Sequence, residues 1–364
     1  METTQNGQGN SCRHRKAPMM RAALKSIARR LPGIRDVVAE RDRLRRQCGE
    51  LVAERNQLQQ RHEQMASERE SLRLEHDAVA AERETLRRAC GFAPPGHFYS
   101  PLPSLAEIEQ DAERIFGPFP RTIPGIEMHE SEQLALLARF AGYYPEIPFP
   151  EEKTAGLRFY YENPSYSYSD AIFLHCMIRH LRPRRLVEVG SGFSTCAMLD
   201  TSERFLDSSL QLTCIEPYPE LLLSLIGEDD RGRIRLIPQR LQDAGLDEFQ
   251  RLEANDILFI DSTHVSKTGS DVNRIFSAIL PVLATGVHVH FHDIFYPFEY
   301  PREWLQMGRA WNEVYALRAF LQYNDRFRIV LMNTFLEHFH EPLFREKMPL
   351  CMKNPGGSIW IRKD

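Results

Sequence analysis

The sequence predicts an α/β protein in which a seven-stranded parallel sheet follows a long α-helical coiled coil. Two observations lead to this prediction. A heptad repeat lies within residues 36–92, and short apolar runs alternate with amphipathic segments from about residue 166 onward. Apolar runs separated by amphipathic helices are typical of a parallel sheet that is covered on both faces.

The composition is that of a globular protein with room for a sizeable core. The chain has 364 residues, of which 42% are hydrophobic and 26% charged, and no apolar run approaches the ~18 residues that a membrane span needs. We therefore expect a cytoplasmic protein. The seven cysteines form no CxxC pair, so we expect reduced thiols rather than a zinc site or a disulfide framework.

The coiled coil is predicted within residues 36–92, where a fourteen-residue unit repeats and apolar side chains recur every seven residues. Such a stripe predicts a helix about 80 Å long that associates with other copies of itself. At the second heptad position of the seam, most of the side chains are Arg or His instead of apolar. The number of helices that associate therefore stays open. The stripe residues are Val37, Leu44, Leu51, Leu58, Met65, Leu72, Val79 and Leu86.

Charge is distributed unevenly along the chain. Residues 1–35 hold eight Lys or Arg against one Glu, whereas the part beyond residue 92 has ten more acidic than basic side chains. An acidic catalytic part argues against nucleic acid as a substrate, because phosphate backbones are bound mainly through Lys and Arg. The basic tail is interpreted either as disordered or as a contact to the inner face of a membrane.

Gly and Pro residues end the heptads near residue 92. Residues 93–165 are predicted to form a connector and N-terminal cap, and residues 166–364 the catalytic domain. Helices are predicted over 169–181, 219–226, 246–253, 270–284 and 309–322, with another after Ser194. Strands are predicted over 185–189, 212–216, 234–238, 256–261, 287–292, 328–333 and 358–362.

The strongest local motif is the segment 188–195, Glu-Val-Gly-Ser-Gly-Phe-Ser-Thr, where the first predicted strand turns into a helix. Glycines there let the backbone approach a ligand, and the helix N-terminus offers unpaired N–H groups. A dinucleotide fingerprint would have a third glycine where this chain has Thr195. That difference counts against NAD.

A second motif follows at the end of the next predicted strand, where Glu216 lies some twenty-five residues after the glycines. A carboxylate at this place in a βαβ unit accepts hydrogen bonds from the ribose hydroxyls of a nucleoside cofactor. The alternative is an exposed acid at a strand end. Because the glycine segment and Glu216 occur together at the spacing of a βαβ unit, the cofactor-binding interpretation is favoured.

Polar side chains also follow the fourth and fifth predicted strands, where ligands bind in open α/β sheets. Asp261 ends one predicted strand and His264 follows it, and His292 ends the next strand and Asp293 follows it. The ordinary pKa of histidine, ~6.5, suits removal of a proton from a hydroxyl, and His with carboxylates also suits several divalent metals. Aromatic residues at 159–161, 166, 168 and 295–301 are candidates for a substrate wall or for core packing.

Taken together, these stretches resemble bacterial class I methyltransferases of the Methyltransf_24 type, which are found with glycan biosynthesis. The similar segments cover most of residues 98–364. They are FYSPLPSL (98–105), RFYYENPSYSYSDA (158–171), LVEVGSGFSTCAMLD (186–200), CIEPYPELL (214–222), DILFIDSTHVSKTGSDVN (256–273), VHVHFHDIFYPFEYP (287–301) and WNEVYALRAFLQYN (311–324).

The resemblance implies a Rossmann-like, seven-stranded sheet and S-adenosylmethionine as methyl donor. The residues expected to contact this donor are Glu188, Gly190, Ser191, Gly192, Ser194 and Glu216. More distantly, the chain is similar to metal-dependent catechol-type O-methyltransferases, which implies a divalent metal such as Mg²⁺ at Asp261, His292 and Asp293. This chain departs from that group by having His264 where a lysine is usual, and His292-Asp293 where an Asp-Asn pair is usual.

The expected function is methyl transfer to a hydroxyl, with a sugar or glycan precursor as acceptor. His264, Asp261 and Asp293 are the expected catalytic residues, with His264 as the base and an aspartate orienting it or the substrate. Two alternatives stay open: a non-catalytic nucleoside-binding scaffold organised by the coiled coil, and an NAD-linked sugar-modifying enzyme. An N-methyltransferase is a close variant.

Overall fold

The computed structural model describes residues 32–89 and 91–364. The basic tail, Cys12 and Cys90 lie outside these residues, so the prediction of a membrane contact stays a prediction. The chain divides into two compact units, Met1–Pro94 and Pro95–Asp364. No helix in the described ranges is long and apolar enough to cross a membrane.

The described part of the first unit contains one helix, α1 (Pro32–Ala89), of 58 residues. It ends close to the break that Gly91 and Pro94 predict. The apolar side chain at every seventh position is exposed on this single helix, from Val37 at 69% to Leu86 at 58%. The helix therefore presents an unburied apolar stripe, as the heptads predict.

The second unit is built on seven strands in the order β3-β2-β1-β4-β5-β7-β6. The strands are β1 (Arg185–Val189), β2 (Gln211–Ile215), β3 (Ile234–Ile237), β4 (Ile257–Ile260), β5 (His288–His292), β6 (Phe327–Met332) and β7 (Ser358–Lys363). Neighbouring strands are parallel except β7, which runs antiparallel to both β5 and β6. The carboxyl ends of β1 to β6 and the start of β7 therefore lie at one edge of the sheet.

Helices cover both faces of the sheet, as right-handed crossovers between parallel strands require. In chain order they are α2 (Leu105–Gln110), α3 (Ala112–Phe116), α4 (Glu130–Tyr143), α5 (Tyr168–Leu181), α6 (Phe193–Phe205), α7 (Glu220–Leu225), α8 (Glu228–Arg231), α9 (Asp247–Gln250), α10 (Asp271–Arg274), α11 (Leu280–Val282), α12 (Arg302–Gln306), α13 (Glu313–Leu321) and α14 (Asn333–Lys347). A π-helical turn, Ile275–Ile279, joins α10 to α11.

The N-terminal cap is part of the same core rather than a separate connector. Helix α4 buries Leu137 and Phe140, and the side chain of Gln133 accepts a hydrogen bond from the backbone N–H of Met332 at 2.8 Å. That bond ties α4 to the end of β6. The sequence pattern did not predict α4, because its apolar stripe is short and interrupted by polar residues.

Candidate active site

The turn between β1 and α6 is held in a conformation that only glycine adopts easily. Gly190 has φ of 80°, and a Cβ there would lie 1.9 Å from the backbone carbonyl oxygen of Asp261. Its N–H donates to the carbonyl of Ile215 at 3.1 Å. The tips of β2 and β4 thus close on both sides of the turn, and no side chain fits between them.

Glu188 lies beneath this turn with no exposed surface. Its carboxylate accepts hydrogen bonds from the hydroxyls of Ser194 at 2.7 Å and Thr195 at 2.6 Å. Burial raises the pKa of Glu188 to about 7. The Glu188 carboxylate and the Ser194 hydroxyl are hydrogen-bonded to each other and support the turn from the core side. Their contact with the methyl donor stays a prediction.

Glu216 directly follows β2 and lies across the tip of β1. One carboxylate oxygen accepts a hydrogen bond from the backbone N–H of Ser191 at 3.1 Å, and the other accepts from the N–H of Tyr218 at 2.8 Å. Two backbone donors fix the orientation of a partly exposed carboxylate. Ser191, Gly192 and Glu216 are thus brought together around the turn, as the spacing predicts.

On the other side of the turn, His264 stands at the centre of a buried charged cluster. Its Nδ1 lies 2.8 Å from a carboxylate oxygen of Glu313. Its Nε2 lies 3.4 Å from Asp261 Oδ1 and 3.6 Å from Asp293 Oδ2. The side chains of His264 and Glu313 are 5% and 1% exposed. The structure therefore brings the three predicted catalytic residues together and adds Glu313.

The backbone holds this arrangement from two directions. His264 and Asp293 both adopt left-handed conformations, with φ of 59° and 56°, which are uncommon for residues other than glycine and often mark functional sites. The carbonyl of His264 accepts hydrogen bonds from the N–H groups of Asn312 and Glu313. The start of α13 is thereby fastened to the loop after β4.

The carboxylates determine the protonation state of His264. Burial by itself lowers the pKa of this imidazole, but the hydrogen bonds with Asp261 and Glu313 outweigh burial and raise it to about 10. The imidazole is therefore cationic near neutral pH. A cationic imidazole has no lone pair to accept a proton, so the predicted role of His264 as base does not fit its surroundings.

The two aspartates differ in their proton affinity. Burial raises the pKa of Asp293, and nearby Asp261 adds to this effect while His292 and His264 oppose it. For Asp261, burial raises the pKa, but the charges of His292 and His264 outweigh burial and lower it. Asp293 is therefore the stronger proton acceptor of the pair.

His292 extends the cluster into the sheet. Its Nε2 lies 3.6 Å from Asp293 Oδ1. Burial lowers its pKa, but Asp293, Asp261 and Asp170 together raise it above the ordinary value. Asp170 accepts hydrogen bonds from the side-chain amide of Asn333 at 3.0 Å and the N–H of Gly357 at 3.1 Å. Charge interactions thus extend from Glu313 through His264, Asp293 and His292 to Asp170.

Comparison with known proteins agrees with this geometry. Residues 187–294 match the family model described as Methyltransf_24, a methyltransferase domain. An uncharacterized protein of Archaeoglobus fulgidus is 36% identical over 174 residues, which are 45% of this chain and 75% of the relative.

The chain belongs to the Methyltransf_24 methyltransferase family. The matched residues begin in β1 and end just after Asp293, so they contain the glycine turn, Glu216 and most of the charged cluster. The prediction of an S-adenosylmethionine-dependent methyltransferase on a Rossmann-like, seven-stranded sheet is confirmed.

Solved methyltransferases are similar to this methyltransferase only distantly. The S-adenosylhomocysteine-bound enzyme PaMTH1 of Podospora anserina is 15% identical, with a TM-score of 0.34 over 70% of this chain and 96% of that chain. A putative O-methyltransferase from Klebsiella pneumoniae is 16% identical, with a TM-score of 0.34 over 70% and 96%. The O-methyltransferase TomG of Streptomyces achromogenes is 15% identical, with a TM-score of 0.35 over 65% and 91%.

The residues predicted to hold a metal ion do not form a metal site as they are arranged. Within residues 32–89 and 91–364, no three His, Cys, Asp or Glu side chains are placed to hold an ion. The His264 imidazole lies between Asp261 and Asp293, so a second cation there would meet a like charge. The set Asp261, His292 and Asp293 stays a prediction that the geometry does not favour.

Sequence reasoning missed two groups in the methyltransferase. Glu313 lies 49 residues after its partner His264, and the available signal was an acidic residue near the start of the predicted helix 309–322. Asp170 was hidden in the first turn of α5. Among the aromatic candidates, Phe159, Tyr161, Tyr166 and Tyr168 are core residues. Tyr296 and Tyr300 are also core residues, and together with Phe295 they line a cavity.

Proposed function

We propose that the methyltransferase transfers the methyl group of S-adenosylmethionine to a hydroxyl of a sugar or glycan precursor. One observation carries the proposal. The glycine turn is flanked by Glu216 on one side and, on the other, by Asp261 at the tip of β4. A donor bound over the turn would thus have its reactive end beside the charged cluster.

The donor half positions the cofactor through few groups. The carboxylate of Glu216, oriented by two backbone N–H groups, would accept hydrogen bonds from the ribose hydroxyls. The backbone of Gly190 and Gly192 leaves room for the methionine part because neither residue has a side chain. A sulfonium is already an activated leaving group, so positioning supplies much of the rate enhancement.

Methyl transfer to a hydroxyl requires a group that accepts the hydroxyl proton. The acceptor oxygen forms a bond to the methyl carbon while the carbon–sulfur bond breaks, and the bond electrons leave with neutral S-adenosylhomocysteine. We assign the hydroxyl proton to the carboxylate of Asp293, whose side chain is 17% exposed and whose pKa burial raises. His264, held by Glu313, orients Asp293 and Asp261 and balances their charge.

The proposed function is tested with S-adenosylmethionine labelled in its methyl group and a panel of free sugars and oligosaccharides. We expect label in a methyl ether that resists mild acid and base, together with S-adenosylhomocysteine. Label in a methylamine would instead indicate the N-methyltransferase variant. Donor binding without turnover on any acceptor would favour the nucleoside-binding scaffold.

Asp293→Asn tests the assignment of the proton acceptor. We expect turnover to fall by roughly 10²-fold or more with unchanged donor affinity, as is usual when a general base is removed. The matched control is Asp229→Asn, which changes an exposed aspartate of α8. Full turnover in Asp293→Asn would exclude Asp293 as the proton acceptor.

We also propose that the full chain self-associates through α1, because its apolar stripe is exposed on the single helix. Analytical ultracentrifugation of the full chain should give a mass above that of one copy. Leu51→Asp with Leu58→Asp should reduce the mass to one copy. Gln60→Asp, on the other side of the same helix, should not. A single-copy mass for the unaltered chain would contradict the proposal.

A further inference from the structure

A cavity of about 610 Å³ opens at the same edge of the sheet as the charged cluster. Its walls come from the loop after β5, from α14 after β6, from the segment before β7 and from the end of α3. Because the ends of β5 and β6 and the start of β7 share this edge, the cavity lies on the acceptor side. Its volume falls in the range of small-molecule sites.

The cavity is connected to the cluster through side chains. Tyr300 lines the cavity and packs against Trp311 with ring centroids 6.0 Å apart, and Trp311 packs against His264 at 4.4 Å. Asp170 accepts a hydrogen bond from Asn333, the first residue of α14, which is itself a cavity wall. The rings of Tyr300 and Trp311 therefore link the cavity wall to His264.

The walls are largely apolar and aromatic. Aromatic side chains can pack against the apolar face of a ligand ring, including the C–H face of a sugar. The aromatic wall residues are Phe116, Phe119, Phe295, Tyr296 and Tyr300.

The charges on the walls are mostly negative. Glu299 accepts a hydrogen bond from Tyr315, and Glu341 pairs with Arg345. The guanidinium of Arg302 is already bound by Glu109, outside the cavity wall. A phosphate group would therefore meet carboxylates here and a cation that is already paired.

Glu337 differs from the other wall carboxylates because the structure gives it no hydrogen bond or ion pair within residues 91–364. Burial, followed by the charges of Glu341 and Asp170, raises the pKa of Glu337 to about 7. A half-buried carboxylate without a partner is destabilised in its charged form. A cationic ligand group would stabilise it.

We propose that this cavity binds the methyl acceptor, and that the acceptor is a ring without phosphate that carries a protonated amine, as an amino sugar does. The amine pairs with Glu337, and the aromatic walls cover the ring. This inference rests on the proposed function and narrows its substrate class. According to this inference, the cavity binds sugars that carry an amine in preference to sugars that carry a phosphate on the same ring.

The test is calorimetry on the full chain saturated with S-adenosylhomocysteine, at neutral pH. Three probes share a phenyl aglycone: phenyl glucosaminide, phenyl glucoside and phenyl glucoside 6-phosphate. We expect the glucosaminide to bind roughly ten-fold or more tightly than the glucoside, as a charge-assisted hydrogen bond provides. The phosphate probe should bind most weakly.

Two variants make the test specific. Glu337→Gln keeps the shape of the side chain and should remove the preference for the amine while leaving glucoside affinity nearly unchanged. Glu346→Gln, on the same helix and paired with Lys347, should keep the preference. Melting temperature and S-adenosylhomocysteine affinity show that each variant is folded.

The inference is overturned if the phosphate probe binds best, if the amine preference survives in Glu337→Gln, or if no ring probe binds to protein that holds S-adenosylhomocysteine. Failure of the unaltered chain to bind S-adenosylhomocysteine is a separate result, because it contradicts the proposed function itself. The two failures are therefore distinguishable in one experiment.

Discussion

The two halves of the sheet edge are built by different means. On the donor half, over β1 and β2, the main features are a glycine turn, backbone N–H groups and one oriented carboxylate, Glu216. On the acceptor half, over β4, β5, β7 and β6, they are charged and aromatic side chains in contact. The donor half thus depends on a backbone that lies close to neighbouring strands and to the ligand. The acceptor half depends on opposite charges that offset one another.

The largest effect is expected from filling the glycine turn. Gly190→Ala places a Cβ against the carbonyl of Asp261 and requires a left-handed conformation. We expect a loss of about 4 kcal/mol or more in the free energy of unfolding, because strain and overpacking add. Urea denaturation measures it. The control is Gly156→Ala, where φ is also positive but the space is open, with an expected loss of about 1 kcal/mol. Equal losses would show that the turn is not tightly enclosed.

The second-largest loss of stability is expected from removing the negative charge that pairs with His264. Glu313→Gln leaves the buried imidazolium of His264 without its nearest carboxylate, so we expect a loss of about 3 kcal/mol in the free energy of unfolding at neutral pH. Glu299→Gln is the control, because among the described residues Glu299 accepts only from the neutral donors Tyr315 and the N–H of Tyr300. If both variants lose the same free energy of unfolding, Glu313 does not stabilise the charged form of His264.

The pH dependence of stability sharpens this prediction. The pKa of His264 is raised from 6.5 to about 10 in the folded chain. Protonated His264 therefore contributes stability that is fully present below pH 6.5 and is lost as the pH rises through about 10. The stability difference between the unaltered chain and His264→Asn should shrink across that window. A difference that stays constant would show that His264 is neutral throughout.

The smallest of these effects is expected on donor affinity. Glu216→Ala removes the acceptor for the ribose hydroxyls, and we expect S-adenosylhomocysteine to bind about 30-fold more weakly, equivalent to about 2 kcal/mol. The control is Glu220→Ala, which removes an exposed carboxylate four residues further on. Equal affinities in the two variants would place the ribose elsewhere.

The same contrast explains what could be predicted from sequence. The predicted ends of all seven strands differ from the observed ends by at most one residue, because each strand is a short apolar run bounded by polar or turn residues. The donor residues lie within one βαβ unit, where local spacing fixes geometry. Their arrangement around the turn was therefore predictable, although the buried position of Glu188 was not.

The acceptor half could not be predicted to the same degree. His264 and Glu313 meet only because α13 returns to the loop after β4, and the cavity exists because β7 lies between β5 and β6. Helix α14 was missed because Pro342 and the kink at His340 interrupt its pattern. The protonation of His264 depends on Asp261 and on Glu313, and Glu313 comes from a distant segment that no local pattern around His264 contains.

The most direct test of the central claim is calorimetric titration of the full chain with S-adenosylmethionine, S-adenosylhomocysteine and NAD, each with and without magnesium. We predict tight binding of the first two, no binding of NAD, and loss of binding strength in Glu216→Ala. Binding of NAD with no response to either of the other two ligands would contradict the account.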